Sequence, residues 1–338
     1  MQSHTNVLLG HGSGGRLSHN LIRDIFIKAF YNPTLARQTD AALLPVPSGQ
    51  IAFTTDAFVV NPVFFPGGDI GKLAVAGTVN DLAVAGAKPA YLSASFIIEE
   101  GLPIEWLEKI TQSMALEAKK AGVLIVTGDT KVVEKGKCDK IFITTTGIGT
   151  FDQGYYPIDE SLITPGDKII INGSIGDHGM AVMSARNDLN LHVPVVSDCA
   201  SLNHLVKLVL GQSGDIRFMR DATRGGLGTV LTELCENKDF GILLHEDAVP
   251  VKESVRGICE LLGFDPLYVA NEGKIVMVVK ASDADKIVSQ LRQQPEGAEA
   301  AVIGEIVSKH PGKAWMKTAY GSSRVIDMLS GEQLPRIC

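Results

Sequence analysis

Aromatic side chains make up only 6% of the 338 residues, so the cores of this chain must be built from aliphatic groups. A surplus of basic residues is also missing, because 31 Lys and Arg face 38 Asp and Glu for a formal net charge of −7. Gripping a phosphate backbone requires the opposite balance, which excludes a general nucleic-acid binder. No apolar run reaches the ~18 residues that a membrane span needs. Met1–Asn6 supply neither the basic nor the apolar part of a secretory signal. No membrane association is therefore expected. The five cysteines, Cys138, Cys199, Cys235, Cys259 and Cys338, are odd in number and form no C-x-x-C pair. They read as reduced thiols in a cytoplasmic protein.

What is present is ample apolar material, 45% of residues against 20% charged, which excludes disorder and a coiled coil. Glycine is abundant at 35 residues, as expected where backbones approach closely. The length suggests about two domains. Leu17, Leu21, Ile25 and Ala29 recur at helical spacing, so residues 16–30 read as an amphipathic helix. Residues 31–50 are proline-rich and irregular. A strand at Ile51–Thr55, a helix of small residues over 71–87 and a strand at Leu92–Ile98 follow. Pro103 then opens a helix with Leu107, Ile110, Met114 and Ala118 on one face. Strands are expected at Val123–Thr127 and Ile141–Thr150.

Residues 151–166 read as a linker, after which the pattern resumes. Strands are expected at 168–172, 241–245, 274–280 and 301–307, with helices near 180–186, 202–210, 227–234, 255–262 and 283–291. Interleaved strands and helices in both halves predict an α/β protein with α+β layers. The tail from Pro311 has little periodicity and is expected to be mobile at its end.

Several groups could carry chemistry. Gly10-His11-Gly12-Ser13-Gly14-Gly15 fits G-x-G-x-x-G. A Rossmann site fails because residues 31–50 supply no second strand with a ribose-binding acid, and Arg16-Leu17 stands where a Walker A loop needs Lys-Ser/Thr. What survives is a glycine loop whose N–H groups can cradle an anion, or a simple turn. Asp56, Asp81, Asp129, Asp177 and Asp221 recur at apparent element ends. Carboxylates gathered from several such ends suit Mg²⁺ and its phosphates, although each alone is an ordinary turn or cap residue. Asn271-Glu272-Gly273-Lys274 reads by itself as a tight turn. Cys338, the last residue, is an unusual terminal thiol for which Arg336 would favour the thiolate. On a mobile tail it could carry a covalently bound group between sites.

These segments also occur in a familiar combination. Gly10–Gly15 with Arg16 is joined by Phe64-Phe65-Pro66-Gly67-Gly68-Asp69-Ile70-Gly71 and Gly77-Thr78-Val79-Asn80-Asp81-Leu82-Ala83. Gly128-Asp129-Thr130-Lys131-Val132-Val133, Gly176-Asp177-His178-Gly179, Ala270-Asn271-Glu272-Gly273-Lys274 and Pro335-Arg336-Ile337-Cys338 follow in order. Over essentially the whole chain this resembles the HypE family of hydrogenase maturation proteins, which act as carbamoyl dehydratases.

The resemblance implies a two-domain PurM-like architecture with a mobile C-terminal tail. Its expected parts are a glycine-rich loop and helix over 1–36, an ATP-binding and dimerisation domain over 37–155, a second domain over 165–310 and a tail over 311–338. It further implies a homodimer, ATP and Mg²⁺, a carbamoyltransferase partner, HypF, and a HypC–HypD complex that takes the product. Cys338 would carry a carbamoyl group. Glu272 would act as base or relay, and Lys131 would orient the carbamoyl oxygen or offset charge. ATP and its phosphates fall to Gly12, Ser13, Gly14, Gly15, Asn80, Asp81, Asp129, Thr130, Asp177 and Asp221. Metal falls to Asp56, Asp81 and Asp129, with Asp40 a lesser candidate. Selenophosphate synthetase is the nearest rival, but the reactive Cys or selenocysteine of its N-terminal loop is absent here. Purine-pathway synthetases that form amidines share the phosphorylated-oxygen logic without a terminal cysteine. A non-catalytic scaffold that docks maturation partners is a rival of another class.

Overall fold

Along Ile141–Thr150 buried positions alternate with more open ones, the period of a strand with one face on a core. The computed structural model describes residues 15–21, 42–46, 49–151, 154–186, 194–212, 215–329, 331 and 337–338. In its first half lie β1 (Ala42–Val46), β2 (Gly49–Phe58), the short pair β3 (Phe64–Phe65) and β4 (Gly68–Asp69), β5 (Lys88–Glu99), β6 (Leu124–Val133) and β7 (Ile141–Thr150). Five of them form a sheet in the order β1-β2-β7-β5-β6. All its pairings are antiparallel except β5 with β6. β1 falls within the stretch expected to be irregular. Its Pro45 is tolerated because, among the described residues, β1 is an edge strand with one side unpaired. Of the helix expected over 16–30, Arg16–Leu21 is helical (α1), and residues 22–30 lie outside the described residues.

Helix α2 (Ile70–Val84) is capped by Asp69, whose carboxylate accepts from the N–H groups of Gly71 and Lys72 at 2.7 and 3.2 Å. Almost every residue of α2 is buried. A helix apolar on all sides belongs between layers rather than on a surface. Leu73, Val75 and Val79 share a core with Met180, Val182 and Ile258, while Ala83 and Val84 pack with Leu205 and Met219. α2 is thus the element on which both halves of the chain meet. Helix α3 (Ile104–Ala121) buries Ile110, Met114 and Ala118, the face its spacing predicts, and ends at Gly122 in the left-handed conformation.

The second half builds a seven-stranded sheet in the order β14-β13-β10-β12-β8-β11-β9. The strands are β8 (Lys168–Ile171), β9 (Ile216–Asp221), β10 (Gly241–His245), β11 (Ile275–Val279), β12 (Ala301–Val307), β13 (Ala314–Lys317) and β14 (Ser323–Ile326). The helices α4 (Asp177–Ser184), α5 (Asn203–Gln212), α6 (Gly226–Cys235), α7 (Glu253–Leu262) and α8 (Ala284–Leu291) accompany it. β9, β13 and β14 were not expected from the sequence. Arg217 and Arg220 interrupt the apolar run of β9, and β13 and β14 are only four residues long. The stretch Ala314–Ile326 therefore belongs to the sheet, where Ala314, Met316 and Ile326 join the core, rather than to a tail. Among the described residues no helix is long and apolar enough to cross a membrane.

Candidate functional site

The first half contributes two carboxylates held by hydroxyls. Thr78 Oγ1 donates to Asp56 Oδ2 at 2.6 Å and lies 2.5 Å from Thr145 Oγ1. Thr54 Oγ1 donates to Asp81 Oδ2 at 2.8 Å. β2 carries Thr54 and Asp56 on one face, and α2 crosses it with Thr78 and Asp81 one turn apart. Each carboxylate is thus fixed by a hydroxyl from the other element.

From the second half come Asp221, at the end of β9, Arg224 and Glu272. Arg224 stands just before Gly225 and Gly226, both left-handed with φ of 77° and 61°. A Cβ on Gly225 would strike the Thr229 side chain, and one on Gly226 the backbone of 267–269, so only glycines make this turn. The turn sets Arg224 among Cys338, Asp56, Glu272 and Asp81. Cys338 first, against the opposing effect of burial, and then those three carboxylates raise the Arg224 pKa. Glu272 is buried. Burial first, then the negative charges of Asp221 and Asp198, drive its pKa well above the ordinary carboxylate range, with Arg224 opposing.

A brace holds the Glu272 backbone. Asp198 Oδ1 accepts from Glu272 N–H at 3.1 Å, and its Oδ2 accepts from Gly273 N–H at 3.2 Å and from Lys274 Nζ at 2.9 Å. Burial acts to raise the Asp198 pKa, but the Lys274 ammonium, which lies beside it and hydrogen-bonds to it, and the Glu272 N–H bond leave the group below its usual value. Gly273 allows the approach, since a Cβ there would collide with the Asp198 carbonyl oxygen. Both charges of the Asp198–Lys274 pair are buried, at 4% and 8% side-chain exposure. Removing one strands the other, so Lys274→Met is expected to lower stability by about 3–5 kcal/mol. Equilibrium urea unfolding reads this as a lower midpoint, and an unchanged midpoint would contradict the brace.

The end of the chain reaches the same place. Ile337 is buried in the core that contains Leu73 and Met180, and Cys338 packs against it, partly buried. His178, fully buried, bonds the Ile337 carbonyl through Nε2 at 2.8 Å and Ser197 Oγ through Nδ1 at 2.8 Å. Burial, then the charge of Glu272, pushes the Cys338 thiol up to about 12, with Arg224 opposing and a Glu272 side-chain hydrogen bond adding to the rise. The seated thiol is therefore protonated. The thiolate expected from Arg336 does not form in this position, because burial first and then the neighbouring carboxyl groups outweigh Arg224, and Arg336 itself lies outside the described residues.

The remaining candidates are dispersed. Asp177 is buried beside Ser174 and paired with Lys252 Nζ at 2.8 Å. Asn80 ties α2 to the second half: its Nδ2 donates to the carbonyls of Ala200 and Glu272 at 3.0 and 3.4 Å, and its Oδ1 accepts from Leu202 N–H at 2.7 Å. Gly15 packs on the backbone of Leu329. Asp129, Thr130 and Lys131 lie on β6, where Asp129 pairs with Ser95 and Lys131 with Ile97. Asp56 pairs across β7 at Thr145 and on to Ala94 of β5. The backbones of Asp56 and Asp129 are thus three strands apart, about 14 Å at ordinary strand spacing. Gly12, Ser13, Gly14 and Asp40 lie outside the described residues.

The structure therefore brings together Asp56, Asp81, Asp221, Glu272 and Cys338. The sequence reading missed Arg224, Asp198, Lys274 and His178 as members of this neighbourhood. A charged residue directly before a Gly-Gly pair was the available signal for Arg224. Asp198 had none, because its partners are more than seventy positions away. Among the described residues no group of three or more His, Cys, Asp or Glu is placed to hold a metal. Asp56 and Asp81 nonetheless fit Mg²⁺, which takes one or two carboxylates and completes its shell with water and phosphate oxygens.

With this geometry in view, the comparisons agree with one another. Residues 38–151 match the family AIR synthase related protein, N-terminal domain, and residues 164–317 match AIR synthase related protein, C-terminal domain. The carbamoyl dehydratase HypE of Rhodobacter capsulatus is 49% identical over 335 residues, covering 98% of each chain. A crystal structure of a HypE–HypF complex superposes with a TM-score of 0.86 at 48% identity, covering 91% of this chain and 99% of that one. A structure of the hydrogenase maturation protein HypE in complex with ATP gives a TM-score of 0.81 at 48% identity, covering 98% of this chain and 100% of that one.

Proposed function

The chain belongs to the HypE family of carbamoyl dehydratases, with the two-domain PurM-like fold, and from that premise we propose that it uses ATP to dehydrate a carbamoyl group carried on Cys338. The product is a thiocyanate on the same sulfur, which supplies the cyanide ligand of nickel–iron hydrogenase. The observation that carries this reading is the seating of the terminal thiol against Glu272, with Arg224 and Asp56 in the same charged neighbourhood.

A carboxamide does not lose its oxygen unaided, because hydroxide is a poor leaving group. Attack of that oxygen on the γ-phosphorus releases ADP and turns the oxygen into part of a phosphate. One N–H proton is lost at this stage. Loss of the second lets the C–O electron pair depart with phosphate as the C≡N bond closes. Glu272 would take a proton directly or through a relay, and its raised pKa makes its carboxylate the stronger base once ionised. Arg224 is placed to meet negative charge developing on the transferring oxygen. Asp56 and Asp81 would hold Mg²⁺, whose positive charge would offset that of the polyphosphate.

The protonated thiol of the seated end suits this division of labour. A thiol at about 12 is a poor nucleophile, so loading belongs to another position of the chain end, on a carbamoyltransferase of the HypF kind. The HypC–HypD complex would then accept the cyanide. The five reduced cysteines suit a cytoplasmic setting.

A homodimer is supported by β6, which among the described residues is a sheet edge with Leu124, Val126 and Val132 exposed. An apolar unpaired edge is a template for pairing with another chain. The same pairing gives Asp129, Thr130 and Lys131 a place: three strands from Asp56 within one chain, they would meet nucleotide bound by a second copy.

Single-turnover mixing of S-carbamoylated protein with ATP tests the proposal. Phosphate and thiocyanate are expected in equal amounts. Phosphate release with the carbamoyl group left intact would instead indicate an ATPase scaffold.

A further inference from the structure

We propose that His178, oriented by Ser197, is the positioning residue that seats the end of the chain, by gripping the Ile337 carbonyl rather than the Cys338 sulfur. The proposal rests on the dehydratase reading for its purpose but not for its geometry. The Ile337 carbonyl can only accept, so the hydrogen of the 2.8 Å contact must sit on His178 Nε2. Burial lowers the His178 pKa and keeps the ring neutral, which leaves Nδ1 bare. Ser197 Oγ, 2.8 Å from Nδ1, therefore donates to it, and the same oxygen accepts from Cys199 N–H at 3.0 Å. The relay runs in one direction, from the Cys199 amide through the Ser197 hydroxyl and the imidazole to the carbonyl.

Each part is fixed independently. Ser197 N–H donates to the Pro66 carbonyl at 2.8 Å, and Phe65 stands edge-on to the imidazole with ring centroids 5.3 Å apart. Ser197 is followed by Asp198, which braces Glu272. One short segment thus orients both the base and the anchor of its substrate.

Holding a backbone carbonyl one residue before the sulfur has a chemical consequence. The sulfur is a thiol, then a carboxamide, then a thiocyanate, and the hydrogen bond is blind to all three. The seat selects the chain end by position and leaves Glu272 and Arg224 to read the cargo.

The test is the rate at which iodoacetamide alkylates Cys338 in the full-length protein, followed on the C-terminal peptide by mass spectrometry. His178→Ala is expected to speed this alkylation about tenfold, the effect of losing one well-formed buried hydrogen bond. Ser197→Ala, which frees the ring to place its hydrogen on Nδ1, should move the rate the same way with little risk to folding. His178→Gln keeps an N–H near the Nε2 position and should restore most of the protection. In turnover of the carbamoylated protein, kcat should fall for the Ala variants while KM for ATP stays within about twofold. Wild-type alkylation rates in both Ser197→Ala and a folded His178→Ala would overturn the proposal. Altered alkylation with the expected rescue, but no thiocyanate from the wild-type protein, would leave the seat standing and remove the dehydratase reading.

Discussion

Replacing Cys338 with Ser is expected to abolish thiocyanate formation, to below detection, while nucleotide affinity stays within about twofold of wild type. The size of the loss follows from the role proposed for the sulfur, that of substrate carrier, for which no neighbouring group can substitute. The preserved affinity follows from the architecture. The carboxylates proposed to face the nucleotide, Asp56 and Asp81, are held by Thr78 of α2 and Thr54 of β2, and neither bond involves the chain end. Ile337 remains to fill its place in the core. Calorimetric titration with a non-hydrolysable ATP analogue, beside an assay for thiocyanate, separates the two effects. Loss of nucleotide binding in Cys338→Ser would mean that the end of the chain is a structural part of the pocket.

Glu272→Gln should reduce the rate of dehydration by about 10²–10⁴-fold, the usual contribution of a positioned base. The substitution keeps shape and burial while removing the ionisable group, and it leaves the backbone bonds to Asp198 intact. It also removes a buried carboxyl crowded by Asp221 and Asp198, so the variant should be no less stable than wild type. The pH profile provides an independent check. Because burial and neighbouring carboxylates raise the Glu272 pKa, the group is protonated at lower pH and becomes a base only as pH rises through that elevated value. Wild-type kcat should therefore climb with pH on a limb lying well above the ordinary carboxylate range, and that limb should vanish in Glu272→Gln. A limb of the same position in the variant would assign the titration to another group.

Much of the architecture was legible because its elements carry one clear period. Ile110, Met114 and Ala118 mark α3, and the alternation along 141–150 marks β7. The interleaving of such elements already required layered α/β domains. What was not legible depended on distant pairing. β13 and β14 exist because β10 offers an edge beside them, and nothing within Ala314–Ile326 announces that edge. The site divides along the same line. Asp56, Asp81, Asp221, Glu272 and Cys338 could be chosen from local spacing and family resemblance. Arg224 could not be placed until Gly225 and Gly226 turned it inward, and the Asp198 brace joins residues that only the fold brings together. Lys131 shows the converse, a motif residue whose neighbours in the chain place it on a sheet edge away from Asp56.

The most direct measurement is mass spectrometry of the C-terminal peptide after incubation with the carbamoyltransferase, carbamoyl phosphate and ATP. A terminal sulfur that carries its cargo to a nucleotide site should first gain a carbamoyl group on Cys338, and that adduct should lose one water when ATP is supplied. An unmodified Cys338, or a carbamoyl adduct that persists unchanged in the presence of ATP, would contradict it.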